Sequence, residues 1–283
     1  MHQHNLSDWT YVSRNKKCMI RLIFVAFSIA VMGKFSMSEV EVEKKELKEL
    51  KDTTDTINSD LLAIDFCGEA IPLSELRIAQ RYQKMIRNYD TPEFRKLMTN
   101  TEKRMKTVEN ILKKYGVPSD FKYIPIIESA MNNEVKSHRG AGGYWQFMPS
   151  TAKSLGLVVD SNRDDRKHLI KSTHAAAKYL KSLHKQLGSW TLVAAAYNAG
   201  PQHIQDRMLR QNKNDYFKLK LNAETTKYMY KLVAVKEWFS NPERSREWGS
   251  GDVVDRIAEI KLDAKSDLVK SDSKAITRLT VGS

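Results

Sequence analysis

Apolar residues in this chain recur three and four positions apart, and no stretch of strand length alternates apolar with polar at period two. The first spacing marks amphipathic helices and the second half-buried strands, so the body of the chain is predicted mainly α. Leu76, Ala79, Gln80, Tyr82, Gln83 and Ile86 mark one short helix, and Phe94, Leu97, Met98, Met105, Val108, Ile111 and Leu112 a longer one. Tyr115-Gly116-Val117-Pro118 stops the second, with glycine just past the helix end and proline two residues on. Hydrophobic residues make up 41% of the 283, enough for a real core, so wholesale disorder is excluded. Two cysteines, Cys18 and Cys67, can build neither a disulfide framework nor a four-cysteine zinc site.

Around that helical body the chain changes character. Arg14, Lys16, Lys17 and Arg21 precede an apolar run from Leu22 to Gly33, so residues 1–33 read as a secretory signal or an uncleaved anchor. Export is the expectation. Residues 34–74 read as a charged linker, densest over Glu39 to Glu46, residues 75–117 as a leading helical segment and 118–246 as the main domain. Residues 247–283 read as a charged tail. Positive charge is concentrated in residues 77–246, which hold 32 Lys and Arg against 15 Asp and Glu. Such a basic segment suits a polyanion: nucleic acid, an anionic membrane surface or an acidic cell-wall polymer.

Three stretches carry chemistry. In Phe121 to Met131, Pro125 belongs in the first turn of a helix, where its missing N–H costs nothing. Ile124, Ile127 and Met131 then make an apolar stripe with Glu128 at its edge. A carboxyl there loses solvation, which raises its pKa towards the range of a general acid, although surface glutamates on helices are common. Ser137 to Ala152 sets three glycines ahead of Tyr144-Trp145-Gln146-Phe147-Met148. Glycines permit close approach to a ligand, the aromatics offer flat faces, Gln146 a bifunctional amide, and Ser150 an N-cap; a tight turn over a core is the alternative. Trp190 to Pro201 is a short alanine-rich helix closing at Gly-Pro, with Tyr197 and Asn198 at its end. Those two can face a cleft or serve as a core tyrosine and a helix cap.

Together these stretches resemble the family 1 lytic transglycosylases, the soluble-lytic-transglycosylase catalytic domain. The order is Glu128-Ser129, then Ser137-x-x-Gly140-Ala141-x-Gly143-x-Trp145-Gln146-Phe147-Met148-Pro149-x-Thr151-Ala152, then Ala195 to Pro201, then Glu224-Thr225-x-x-Tyr228. The resemblance covers roughly residues 110–245 and is greatest to the membrane-bound type D enzymes, which have a similar Asn162 to Arg166 stretch. It implies a lysozyme-like fold of the goose-type lysozyme and lytic transglycosylase kind. It further implies cleavage of the β-1,4 bond between N-acetylmuramic acid and N-acetylglucosamine, with formation of a 1,6-anhydro ring. Glu128 matches the catalytic acid/base, and Ser137, Gln146, Met148, Tyr197, Asn198 and Tyr228 match substrate-binding positions. No metal or organic cofactor is implied. Peptidoglycan glycan strands are the expected partner, with an envelope membrane second and the periplasm as location. The type D enzymes often carry LysM repeats, and residues 247–283 are too short and too charged to be one.

Two other functions stay open: a goose-type lysozyme that delivers water, and an inactive wall-binding module. The second carboxylate that a water-activating hydrolase needs has no motif-level candidate, because Asp160, Asp164 and Asp165 lie in a stretch that reads as a solvated loop. His168, His174 and His184 share no helical face and read as surface residues rather than metal ligands. No helix-turn-helix or RNP-type motif supports nucleic acid.

Overall fold

The computed structural model describes residues 62–259. The signal or anchor at 1–33, the charge-dense part of the 34–74 stretch and the tail beyond 259 lie outside the described residues. The described part is mainly α, as the periodicity predicts. A two-stranded antiparallel hairpin, β1 (Asp65–Phe66) and β2 (Glu69–Ala70), leads into α1 (Leu76–Tyr89) and α2 (Pro92–Lys114). After a 3₁₀ turn (Ser119–Tyr123) come α3 (Ile124–Ser129) and α4 (Pro149–Ser154). A second 3₁₀ turn (Asp165–Lys167) precedes α5 (Leu169–Leu187), α6 (Trp190–Ala199) and α7 (Pro201–Gln211). A third (Tyr216–Lys218) precedes α8 (Ala223–Ser240) and α9 (Pro242–Ser250).

The stop at Gly116 forms as read. Gly116 takes φ +67°, its N–H donates to Lys113 O, and the Val117 N–H reaches back to Leu112 O. Those two bonds satisfy carbonyls that the end of α2 would otherwise leave unpaired. The core is built on α6, whose residues Thr191 to Ala196 are all buried. Its alanines let α7 and α8 come close, while α1 lies along α8 and α2 along α5. Trp238 Nε1 on α8 donates to Ile86 O on α1, and Tyr82 meets Trp248 edge-on at 5.0 Å.

Two boundaries need correction. Residues 62–74 are no linker: Ile64, Phe66, Ile71 and Leu73 are buried in the core. The hairpin has polar ties as well. Glu69 accepts from the N–H groups of Trp190 and Thr191 at the start of α6, where a carboxylate meets unpaired donors and the positive end of the helix dipole. Lys236 on α8 donates to Asp65 Oδ1 at 3.0 Å and to Asp120 Oδ2 at 2.9 Å. Period-two patterning missed the hairpin because its strands are two residues long. At the other end the fold does not stop at 246: Trp248, Val253, Val254 and Ile257 are buried.

The stretch from 160 to 166 is a solvated loop only in its first part. Asp160 is exposed, but Asp165 and Arg166 are buried. Arg163 and Lys171 hold the Asp165 carboxyl below its usual range. Arg166 pairs with Asp164 and donates to Gly140 O at 2.7 Å and Phe147 O at 2.9 Å, so its guanidinium braces the glycine-rich loop from beneath. Gly143, at φ +72°, lies so close that a Cβ there would stand 2.0 Å from Arg166 O. Gly116 has a similar φ, and nothing lies within 4 Å of its would-be Cβ. Gly116→Ala should therefore cost only the left-handed strain, ~1 kcal/mol, whereas Gly143→Ala adds overpacking against backbone and should cost ~3 kcal/mol or more. Urea unfolding of the two variants checks the contrast, and equal losses would contradict it.

Candidate active site

Glu128 sits in the last turn of α3, a helix of six residues with Pro125 in its first turn. The helix ends abruptly because Ala130 and Met131 both take positive φ, at 50° and 57°. Their N–H groups close back on Ile126 O and Pro125 O. The stripe expected from Ile124 through Met131 thus breaks at the helix end, and Met131 reaches the core by the turn rather than by helical register. Arg104 Nη1 holds the Met131 carbonyl at 3.1 Å. Ser129 Oγ lies 2.9 Å from Tyr144 O, to which it donates, fastening the end of α3 to the glycine-rich loop.

The carboxyl of Glu128 is partly buried, and burial raises its pKa. The hydroxyl of Tyr228, on α8 and itself 3% exposed, donates to Glu128 Oε1 at 2.6 Å and pulls in the opposite direction. Lys231 also lowers it, and Glu224 adds to the rise. Tyr228 and Tyr197 stay neutral phenols, because burial and the nearby Glu128 push both far above the usual tyrosine value. One acid therefore has a donor on one oxygen and a solvation deficit that favours its protonated form.

The other expected residues fall into two groups. Tyr197 donates to Trp145 O at 2.6 Å and packs against Phe147 and Tyr179, so it is a bracing tyrosine as well as a neighbour of Glu128. Asn198 donates to Glu224 Oε1 at 3.2 Å and accepts from Thr225 Oγ1 at 2.9 Å. That network sits in the first turn of α8, one turn before Tyr228, and was not foreseen from spacing. Ser137, Gln146 and Met148 belong to the loop. Ser137 Oγ accepts from Ala141 N at 3.0 Å, and the Gln146 amide nitrogen donates to Val135 O and Gly143 O, both at 2.9 Å. Met148 is 39% exposed and precedes α4, whose N1 position is taken by Pro149. Ser150 is therefore inside the helix and caps nothing, because proline's fixed φ starts the helix before it.

The aromatic faces also need revision. Trp145 and Phe147 are buried, with Trp145 Nε1 donating to Thr173 Oγ1 at 3.1 Å. Among the loop aromatics Tyr144 alone keeps partial exposure. Of the histidines, His168 is exposed as expected, whereas His174 and His184 are partly buried: His174 bonds Tyr115 OH at 2.9 Å, and His184 stacks on Trp190 at 3.7 Å. Among the described residues no group of three metal-ligating side chains converges. Arg166 was missed as a bracing residue. The signal for it is the Asn162 to Arg166 resemblance, which a bare run of charges conceals.

Removing the Tyr228 donor takes away a bond that favours the carboxylate. Tyr228→Phe should therefore raise the pKa of Glu128 further, read by carbon-13 NMR of labelled glutamate; a fall would contradict the geometry. Because the folded pKa already lies above the ordinary carboxylate value, stability present below that value is lost as pH rises through the raised one. Glu128→Gln should abolish that loss and be at least as stable as the parent at neutral pH, which thermal melts across pH 4 to 8 test.

Residues 106–220 match the family model of the Transglycosylase SLT domain. A membrane-bound lytic murein transglycosylase D of Escherichia coli (strain K12) is 32% identical over 173 residues, 59% of this chain and 38% of that protein. A putative tributyltin chloride resistance protein of Alteromonas sp. (strain M-1) is 35% identical over 104 residues, 36% of this chain and 48% of its own length. The chain thus spans less than half the length of the curated relatives it matches. Among solved structures, the 70 kDa soluble lytic transglycosylase of Escherichia coli aligns with 48% of this chain and 25% of its own, at 24% identity and a TM-score of 0.39. An inactive mutant of lytic transglycosylase Slt from Pseudomonas aeruginosa aligns with 50% of this chain and 24% of its own, at 22% identity and a TM-score of 0.38. Glu128 lies inside the segment, residues 106–220, that is similar to the transglycosylase SLT domain, and Tyr228 lies just beyond it.

Proposed function

We propose that the chain is a peptidoglycan lytic transglycosylase on a lysozyme-like frame, cutting between N-acetylmuramic acid and N-acetylglucosamine. The observation that supports this most is a single desolvated glutamate, Glu128, bonded by Tyr228 within an SLT domain. Protonated Glu128 gives its proton to the glycosidic oxygen as the bond to the anomeric carbon breaks. The substrate's own 2-acetamido group stabilises that carbon. The sugar's 6-hydroxyl then attacks it, and the Glu128 carboxylate takes the hydroxyl proton, closing a 1,6-anhydro ring. Intramolecular attack of this kind gains from proximity that bulk water lacks. Ser137, Gln146 and Met148 shape the loop beside the sugar, and Tyr197, Asn198 and Tyr228 position the reacting ring. An apolar, basic amino-terminal segment and the membrane-bound relative support a periplasmic, envelope-associated enzyme. Among the described residues no helix is long and apolar enough to cross a membrane.

One observation favours a second reading. Glu224, exposed on α8 one turn before Tyr228, is close enough to Glu128 to raise its pKa, and a second carboxylate is what a water-activating hydrolase requires. The product separates the two. Digestion of sacculi followed by mass spectrometry should give anhydro muropeptides, ~18 Da lighter than hydrated ones, as the intramolecular route requires. Hydrated, reducing products alone would establish the hydrolase. Glu128→Gln should lower turnover by at least ~10²-fold, the scale of general acid–base catalysis, and near-normal turnover would remove Glu128 from the mechanism.

A further inference from the structure

On the flank of α8 turned away from Glu128 there is a cavity of about 200 Å³ between α8, α1 and the segment from Tyr216 to Leu221. Its walls carry Arg77 and Arg81 on α1 and Lys220 on the segment, with Tyr216, Phe217 and Tyr230 supplying rings. Arg77 and Arg81 are four residues apart, so they rise from one face of their helix. Among the described residues none of the three cations makes an ion pair, and the acid influencing Tyr230 is Glu75 at the start of α1. Three positive charges against one negative leave an unpaired excess in a concave site.

The walls are fixed. Tyr216 OH donates to the carbonyls of Thr225 and Thr226 at 2.9 and 2.8 Å, and the charges of Arg81 and Arg77 lie near enough to the Tyr230 hydroxyl to oppose the rise in its pKa. The backbone of Lys220 is clamped by Gln211, accepting at 2.8 Å and donating at 3.1 Å. An arginine fork matches a carboxylate bidentately, and the rings beside it suit the alkyl part of the same molecule. The cavity is smaller than the ~300 Å³ at which sites for drug-sized ligands begin, so it suits one end of a chain rather than a sugar pair.

We infer that this cavity binds the carboxylate end of a short peptide, which on the function proposed above is a peptide stem carried by the glycan being cut. The geometry allows it. Tyr228 and Tyr230 lie two residues apart on α8 and so on nearly opposite sides of a helix ~10–12 Å across. The half-turn around a helix of that width is ~16–19 Å, which an extended peptide of about five residues spans.

The test is a binding titration of the full chain with N-acetyl-D-alanyl-D-alanine, its carboxamide, and inorganic phosphate, followed by intrinsic tyrosine and tryptophan fluorescence. The free carboxylate should bind, and the carboxamide should bind at least ten-fold more weakly. Arg81→Gln and Arg77→Gln should each weaken the carboxylate by a similar factor. Equal binding of acid and amide on the unaltered chain would overturn the inference without any variant, as would phosphate binding as tightly as the peptide. Unchanged affinity in both variants would do the same. The readout involves no bond cleavage, so a chain that binds the peptide but cuts no glycan refutes the proposed function alone.

Discussion

A helix of six residues is too short to be stable by itself, and Glu128 stands in the last turn of one. Everything that fixes its carboxyl is therefore tertiary. Ser129 ties the helix end to Tyr144 O, Arg104 holds the turn at Met131, and Tyr228 reaches the carboxyl from a hundred residues away. The two left-handed residues after the helix each cost about 1–2 kcal/mol, a strain that the surrounding contacts have to offset. The acid is thus positioned by the whole domain rather than by its own segment.

The glycine-rich loop is held in the same way. Arg166 takes two of its carbonyls, Tyr197 takes a third at Trp145, and Gln146 closes it from inside. Side chains whose type suggested sugar contact are here spent largely on the loop's own shape. That does not remove them from the site. A loop with fixed backbone presents Tyr144 and Met148 in one place, which is what positioning a ring requires.

Much of this was readable from residues alone, and for identifiable reasons. Helix periods, the Gly116 stop and the desolvation of Glu128 depend on local spacing, and they appear as expected. The hairpin at 65–70 did not, because strands of two residues have no period to detect. Asp165, paired with Arg163 and Lys171, and Arg166, paired with Asp164, are buried in a run that reads as solvent-facing, because composition cannot distinguish charges paired inside from charges left outside. The link from Asn198 to Thr225 joins two helices, and such a link leaves no trace in the spacing of either. Sequence pattern is thus strongest on where helices run and stop and weakest on which side chains touch.

The hairpin's carboxylate at the start of α6 bears on where this molecule can be divided. Family similarity begins inside α2 and ends before α8, yet Glu69 binds the amino-terminal donors of α6, and Tyr228 lies past the similarity's far edge. A fragment cut to the matched residues would leave the α6 donors without their acceptor and Glu128 without its phenol, while exposing the faces that α1 and α9 cover. The matched segment marks where similarity lies, whereas the contacts that hold the fold together extend beyond it on both sides.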